Sequence, residues 1–200
     1  VAGGSGLTGL FLQGASDTAD LTTYTFASQN FGTASADRTI VAVVSGRQSG
    51  VRTVASVTIG GVTATEIATR GSSQNPLGIW SAAVPSGTSG DVVVTFSSGV
   101  LRARVVLWSV KGGAASVSDT QSGTDTINIT GATGGVIIAG ACNTGSGAFT
   151  WTNATERYDA AAEPFTVSGA DATTVGAVTI TATPSNTASN NGIVGVALAP

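Results

Sequence analysis

Hydrophobic and polar residues alternate along this chain in short runs, separated by clusters of Gly, Ser, Asn and Pro. No segment carries the 3.6-residue period of an amphipathic helix, so the pattern predicts strands throughout. The strongest signal runs from Gly90 to Gly112, GDVVVTFSSGVLRARVVLWSVKG, and predicts two strands joined by a tight turn at Ser97-Ser98-Gly99. In the second, Leu101, Ala103 and Val105 point one way and Arg102 and Arg104 the other, after which Val105 to Trp108 is apolar on both faces. A strand that begins half-exposed and ends fully covered crosses the middle of a packed sheet.

The same reading places half-buried strands at Thr22–Ser28 and Thr126–Thr130, and covered strands at Ile40–Ser45, Leu77–Val84, Gly135–Ala141 and Ile193–Leu198. Glycines in the covered run GVIIAGA point to close backbone approach. VASVTI and VTATEIA flank Gly60-Gly61, a two-residue hairpin turn that needs positive φ at both positions. Asn190-Asn191-Gly192 is a second turn of that kind. Gly112 to Gly123 reads as a Gly/Ser loop, and Asn153 to Glu163, where charge is densest, as a helical turn or irregular loop. About a dozen short strands at this spacing predict an antiparallel β-sandwich of jelly-roll type. A parallel α/β sheet is excluded, because nothing here forms crossover helices. Residues 1–20 read as an N-terminal arm or edge strand, and residues 21–200 as a single β-sandwich domain. No exact internal repeat is visible, although SVTIGGVTAT and ATGGVIIAGA echo each other.

Composition sharpens this picture. Only 10% of the 200 residues are charged, against the usual quarter, so Ser, Thr, Asn, Gln and Gly must cover the surface. Such a surface suits a protein held in an assembly or living outside the cell. Net charge is −3 with eight basic residues, and Lys111 is the single lysine. Nucleic-acid binding needs a basic stripe to displace counterions, and the arginines are scattered except for Arg102 and Arg104, so no nucleic-acid partner is expected. No apolar run approaches the length of a membrane span, and VAGGSGLTGLFLQG lacks the basic start and long apolar core of an intact signal peptide.

Candidate chemistry is sparse. There is no histidine, which removes the Ser-His-Asp and Cys-His nucleophile systems and the commonest metal ligand. Cys142, alone in VIIAGAC, reads as a small buried hydrophobe. Glu156, Asp159 and Glu163 are the carboxylates that could serve glycoside hydrolysis, which needs two at a set separation, but such clusters are usually solvated loop charge. No catalytic residue and no cofactor is assigned. Calcium is the metal the pattern leaves open, through Asp17/Asp20 or Glu156/Asp159, although neither pair has the dense spacing of a calcium loop. Trp151 and Tyr158 flank the charged stretch and are the candidate ligand-binding residues, as platforms for a sugar, whereas Trp80 and Trp108 read as core anchors.

The order TYTFASQNFGTASADRTIVAVVSGR, VASVTIGGVTATEIA, IWSAAVPSGTSGDVVVTFSSGVLRARVVLWSVKG and FTWTNATERYD resembles a β-rich module of structural proteins in tailed bacteriophages and gene transfer agents. The likeness spans Thr22 to Pro200 and contains no catalytic motif. It implies a non-enzymatic component of the virion surface: a capsid decoration or cement protein, or a head spike or fibre. The partners it implies are other virion proteins such as the major capsid protein, with self-association into a homo-oligomer. The alternatives are a receptor- or glycan-binding module of a spike or tail fibre, recognising a host surface glycan, and a secreted carbohydrate-binding domain.

Overall fold

The computed structural model describes residues 6–71, 73–162, 165–186 and 190–200. Those residues form antiparallel sheets joined by turns, with no helix. The strands of the first half are β1 (Thr8–Asp17), β2 (Leu21–Asn30), β3 (Thr39–Arg47), β4 (Val54–Ile59), β5 (Val62–Thr63), β6 (Thr65–Thr69), β7 (Leu77–Ala83), β8 (Ser89–Val100) and β9 (Arg102–Lys111). Those of the second are β10 (Ser116–Gly123), β11 (Thr126–Gly131), β12 (Val136–Thr144), β13 (Phe149–Thr152), β14 (Thr155–Ala162), β15 (Phe165–Ala172), β16 (Gly176–Pro184) and β17 (Gly192–Ala199).

Each half is a two-sheet sandwich. In the first, an inner sheet of order β1-β9-β3-β7-β6 packs on an outer sheet β2-β8-β4-β5. In the second, an inner sheet β10-β17-β12-β15-β14 packs on an outer sheet β11-β16-β13. Once the two-residue β5 is set aside, the second half repeats the connectivity of the first strand for strand. The two inner sheets stack on each other. Three apolar cores result: one inside each half, and a middle one in which Val41, Val43, Val106 and Trp108 meet Ile138, Val167, Val194 and Val196.

This four-layer stack explains the sequence pattern. Strands β3, β9, β12 and β17 are covered on both faces and read as nearly continuous apolar runs; β15 is covered as well, but carries buried Thr166, Ser168 and Asp171, each hydrogen-bonded. Strand β11 in an outer sheet alternates buried and exposed residue by residue. Close approach of the inner sheets depends on glycine. A Cβ on Gly140 would lie 2.3 Å from Val43 Cγ1, and one on Gly14 would lie 2.2 Å from the Tyr158 ring.

Several expectations change. The strands of the Gly90–Gly112 stretch are not a hairpin: β8 pairs with β2 and β4, and β9 with β1 and β3. The chain crosses between sheets at Leu101. Arg104 is buried rather than exposed, at 2%, because the second inner sheet covers that face of β9. The Gly112–Gly123 loop is largely β10, an edge strand, where polar residues need not be covered. Residues 155–162 of the charged stretch form β14, not a helical turn or loop. The echo between SVTIGGVTAT and ATGGVIIAGA joins non-equivalent strands. The repeat that survives in sequence is Ala64-Thr65-Glu66 against Ala154-Thr155-Glu156, each followed by a β-bulge, at Ile67 and at Arg157.

Residues 8–17 are built into the fold as the edge strand β1. Phe11 packs edge-on against Trp108 with ring centroids 5.7 Å apart, and Leu12 and Ala15 reach the first core. Between the halves the chain passes through Gly112 and Gly113, whose N–H groups both donate to Asp37 Oδ2, at 2.8 and 3.0 Å.

Candidate functional site

The charged stretch and its aromatics lie where β13, β14 and β15 meet. Trp151, on β13, is half-buried and packs on the core between the second half's two sheets. Its Nε1 donates to Ser168 Oγ at 2.8 Å, and Ser168 Oγ donates in turn to the Tyr158 carbonyl at 2.8 Å. Tyr158, on β14, points the other way: it packs on the middle core, with its ring against Gly14 of β1. Trp151 and Tyr158 therefore occupy opposite faces of one sheet and share no common surface.

Glu156 and Asp159 fall on the Trp151 side of β14, opposite Ala170 and Ser168 in the ladder. Asp159 Oδ2 accepts the Phe149 N–H at 2.6 Å, while its buried Oδ1 has no hydrogen-bond partner among the described residues. Burial lifts the Asp159 carboxyl above the ordinary carboxylate range, against the opposing pull of the Phe149 N–H and Arg104. Burial also raises Glu156, with the Asp159 charge adding to it. Glu163 lies outside the described residues. Asp17 Oδ1 accepts the Ala19 N–H at 2.8 Å and so caps its own turn. Among the described residues no three His, Cys, Asp or Glu side chains converge as a metal site.

The polar groups that sequence reasoning missed are structural ties. Arg104 donates to the Ala160 carbonyl and lies 5.6 Å from the Phe165 ring centroid, joining β9 of one half to β14 and β15 of the other. Beside it, Trp108 Nε1 donates to Asp171 Oδ2 at 2.9 Å, and Arg157 grips the same carboxylate through Nε and Nη2 at 3.0–3.1 Å. This bidentate pair closes the joint from its edge. In the first half, buried Arg38 donates to the carbonyls of Phe31, Gly32, Val84, Ser86 and Gly87. Lone arginines and an Asp in a Gly/Ala/Thr stretch carry no sequence signal for such roles. Cys142 is buried and its thiol is pushed up to about 11, chiefly by desolvation.

The outermost faces are hydroxyl-covered. Thr126, Thr181 and Thr152 form one rung across β11, β16 and β13, with Thr126 and Thr181 Oγ1 3.1 Å apart. On the other side, Thr23, Thr95 and Ser56 form a rung across β2, β8 and β4, with Thr23 and Thr95 Oγ1 also 3.1 Å apart. Comparison with known protein families and with curated proteins finds no match to this chain.

Proposed function

We propose that this chain is a non-enzymatic structural protein of a phage virion surface, most simply a decoration or cement protein on the head exterior. The observation that carries the reading is the strand order. With β5 set aside, each half runs 1-8-3-6-5 in its inner sheet and 2-7-4 in its outer sheet. This wrap is close to that of a jelly roll, an architecture of viral capsid and lectin domains, with strand 5 moved beside strand 6 in the inner sheet, and it occurs twice in tandem. The resemblance of the sequence to phage and gene transfer agent structural modules agrees with it. In this role the chain would seat an uncharged outer face across a boundary between capsid subunits and bury surface there, so that the shell resists internal pressure. Its partners would be the major capsid protein and further copies of itself, and its place the exterior of the particle.

The test is compositional. Gradient-purified particles from the source culture are analysed by quantitative mass spectrometry and labelled with gold-conjugated antibody against this chain. The expected result is a fixed stoichiometry to the major capsid protein, with label on heads. Label confined to tail tips favours the receptor-binding alternative, and absence of the chain from purified particles overturns the virion reading.

A further inference from the structure

The first half's outer sheet carries an open cleft of about 470 Å³ where the β4–β5 turn meets the start of β8. That volume is in the range of small-ligand sites, roughly 300–1,000 Å³. Its walls are Thr58, Gly60, Gly61, Ser89, Gly90 and Asp91, with Val93 as the one larger apolar side chain. Gly61 leaves the rim of the cleft open, while Gly60 and Gly90 let the backbone settle on the Phe31 ring beneath it. Gly60 and Gly61 take φ of 59° and 80° in the turn. A Cβ on Gly90 would lie 2.7 Å from the Phe31 ring and 3.1 Å from Gly60 Cα, while one on Gly61 would meet nothing. The floor is thus backbone, closed from beneath by the buried Phe31 ring and tied by Gly60 N–H to Asp91 O at 2.8 Å.

Asp91 is the one charge in this lining, and it is held in place. Its Oδ1 accepts the Ser28 N–H at 2.9 Å, and no hydrogen bond reaches its Oδ2 from the described residues. Ser28 sits at φ 52°, a left-handed conformation uncommon for a residue with a side chain. Strained backbone of this kind clusters at functional sites.

We propose that this cleft binds a neutral sugar, with Asp91 Oδ2 accepting from ring hydroxyls, Thr58 and Ser89 hydroxyls completing the hydrogen bonds, and Val93 and the glycine floor meeting the C–H face. The lining selects this class. One carboxylate without a cation repels phosphate. A divalent metal wants several carboxylate or carbonyl oxygens at once, and this wall offers one acid. An apolar ligand would strand the hydroxyls and the carboxylate. A donor-rich uncharged ligand satisfies all of them, and glycine lets it approach the backbone closely. The inference does not depend on the virion reading, and its residues lie in the other half from Trp151 and Tyr158.

The experiment is an amide-resolved NMR titration of the whole chain with the methyl glycosides of glucose, galactose, mannose and N-acetylglucosamine, alongside inorganic phosphate and methylammonium. Expected are saturable shifts at the Gly60, Gly61, Gly90 and Asp91 amides with at least one sugar. Binding should weaken about tenfold or more in Asp91→Asn, which keeps an acceptor for Ser28, because a hydrogen bond to a charged group is lost. Asp91→Ala should weaken it further. Silence of those amides toward all four sugars overturns the proposal, as does unchanged sugar affinity in both variants. Saturation by methylammonium or phosphate with the sugars silent overturns the ligand class.

Discussion

The stacking of the two halves turns on a single contact that can be perturbed from both sides. Gly140 on β12 faces Val43 on β3, and a Cβ added at Gly140 would lie 2.3 Å from Val43 Cγ1, 3.0 Å from Cγ2 and 3.2 Å from Cβ, where ordinary contact begins near 3.4 Å. Gly140→Ala must therefore push the inner sheets apart by about an ångström or twist Val43 from its rotamer. Overpacking of this kind costs roughly 1–3 kcal/mol, less the ~0.5–1 kcal/mol that Ala gains over Gly in the unfolded chain. Val43→Ala removes two buried methyl groups, about 1.6 kcal/mol at ~0.8 each, plus a cavity contribution. In the double variant the new methyl enters the space the old ones leave. Its cost should fall at or below that of Val43→Ala alone, giving a coupling of about 1 kcal/mol or more between the sites. Urea unfolding of the four proteins, read as midpoints at a common slope, measures it. Additivity to within ~0.5 kcal/mol would mean that the two side chains do not meet, and would refute the face-to-face packing of the inner sheets.

Four further outcomes follow from the same geometry. Arg38→Ala strips donors from five carbonyls and should cost more than about 3 kcal/mol, with Arg38→Lys recovering only part because an ammonium cannot fork; equal stability of Arg38→Lys and wild type in chemical denaturation would contradict this. Cys142 should resist a thiol reagent at pH 8 until the chain unfolds. Its folded value is raised to about 11, so the unfolded chain releases this proton first and stability should fall as pH climbs from about 9 toward 11; a Cys142→Ala variant that loses stability equally over that window would show the thiol is not responsible. Asp37 is held below the usual carboxylate range by Ser35 and the Gly112 and Gly113 N–H groups, so its contribution is present at neutral pH and lost as pH falls through that lowered value; amide exchange at Gly112 and Gly113 should quicken there, and in Asp37→Asn at pH 7. Deleting residues 1–17 removes Phe11 from Trp108 and bares the edge of β9, and should lower the melting temperature markedly; an unchanged value would mean that β1 adds nothing to the fold.

Strand positions were legible in this sequence because period-two alternation and turn glycines act locally. The Gly60-Gly61 turn and the covered runs IVAVVS and GVIIAGA needed no partner to be recognised. Which sheet a strand joins depends on contacts far along the chain, so β8 and β9, separated only by Leu101, looked like a hairpin. Duplication was hidden for a related reason. The halves share connectivity but almost no residues, since an apolar strand buried on both faces accepts any sequence of the right volume, and only Ala-Thr-Glu before the paired bulges survives. Arg104 misled because alternation implied a solvent face, while the layer covering it lies in the other half. Trp151 and Tyr158 were adjacent to charge in sequence, but β14 sends Tyr158 into the joint while β13 lays Trp151 on a separate core. The Asp91 cleft had only its turn glycines as a signal, and the carboxylate and Ser28 reach it from other strands.

The back-to-back stacking leaves the molecule with two broad faces, both rich in threonine, turned in opposite directions. Sheets in contact lie about 10 Å apart, so three gaps set these faces roughly 30 Å from each other across a packed interior. In the proposed role a block built this way would be ditopic as a monomer, holding one neighbour on each side at a fixed separation, as a rigid spacer. The span is set by the thickness of the block rather than by the length of a linker.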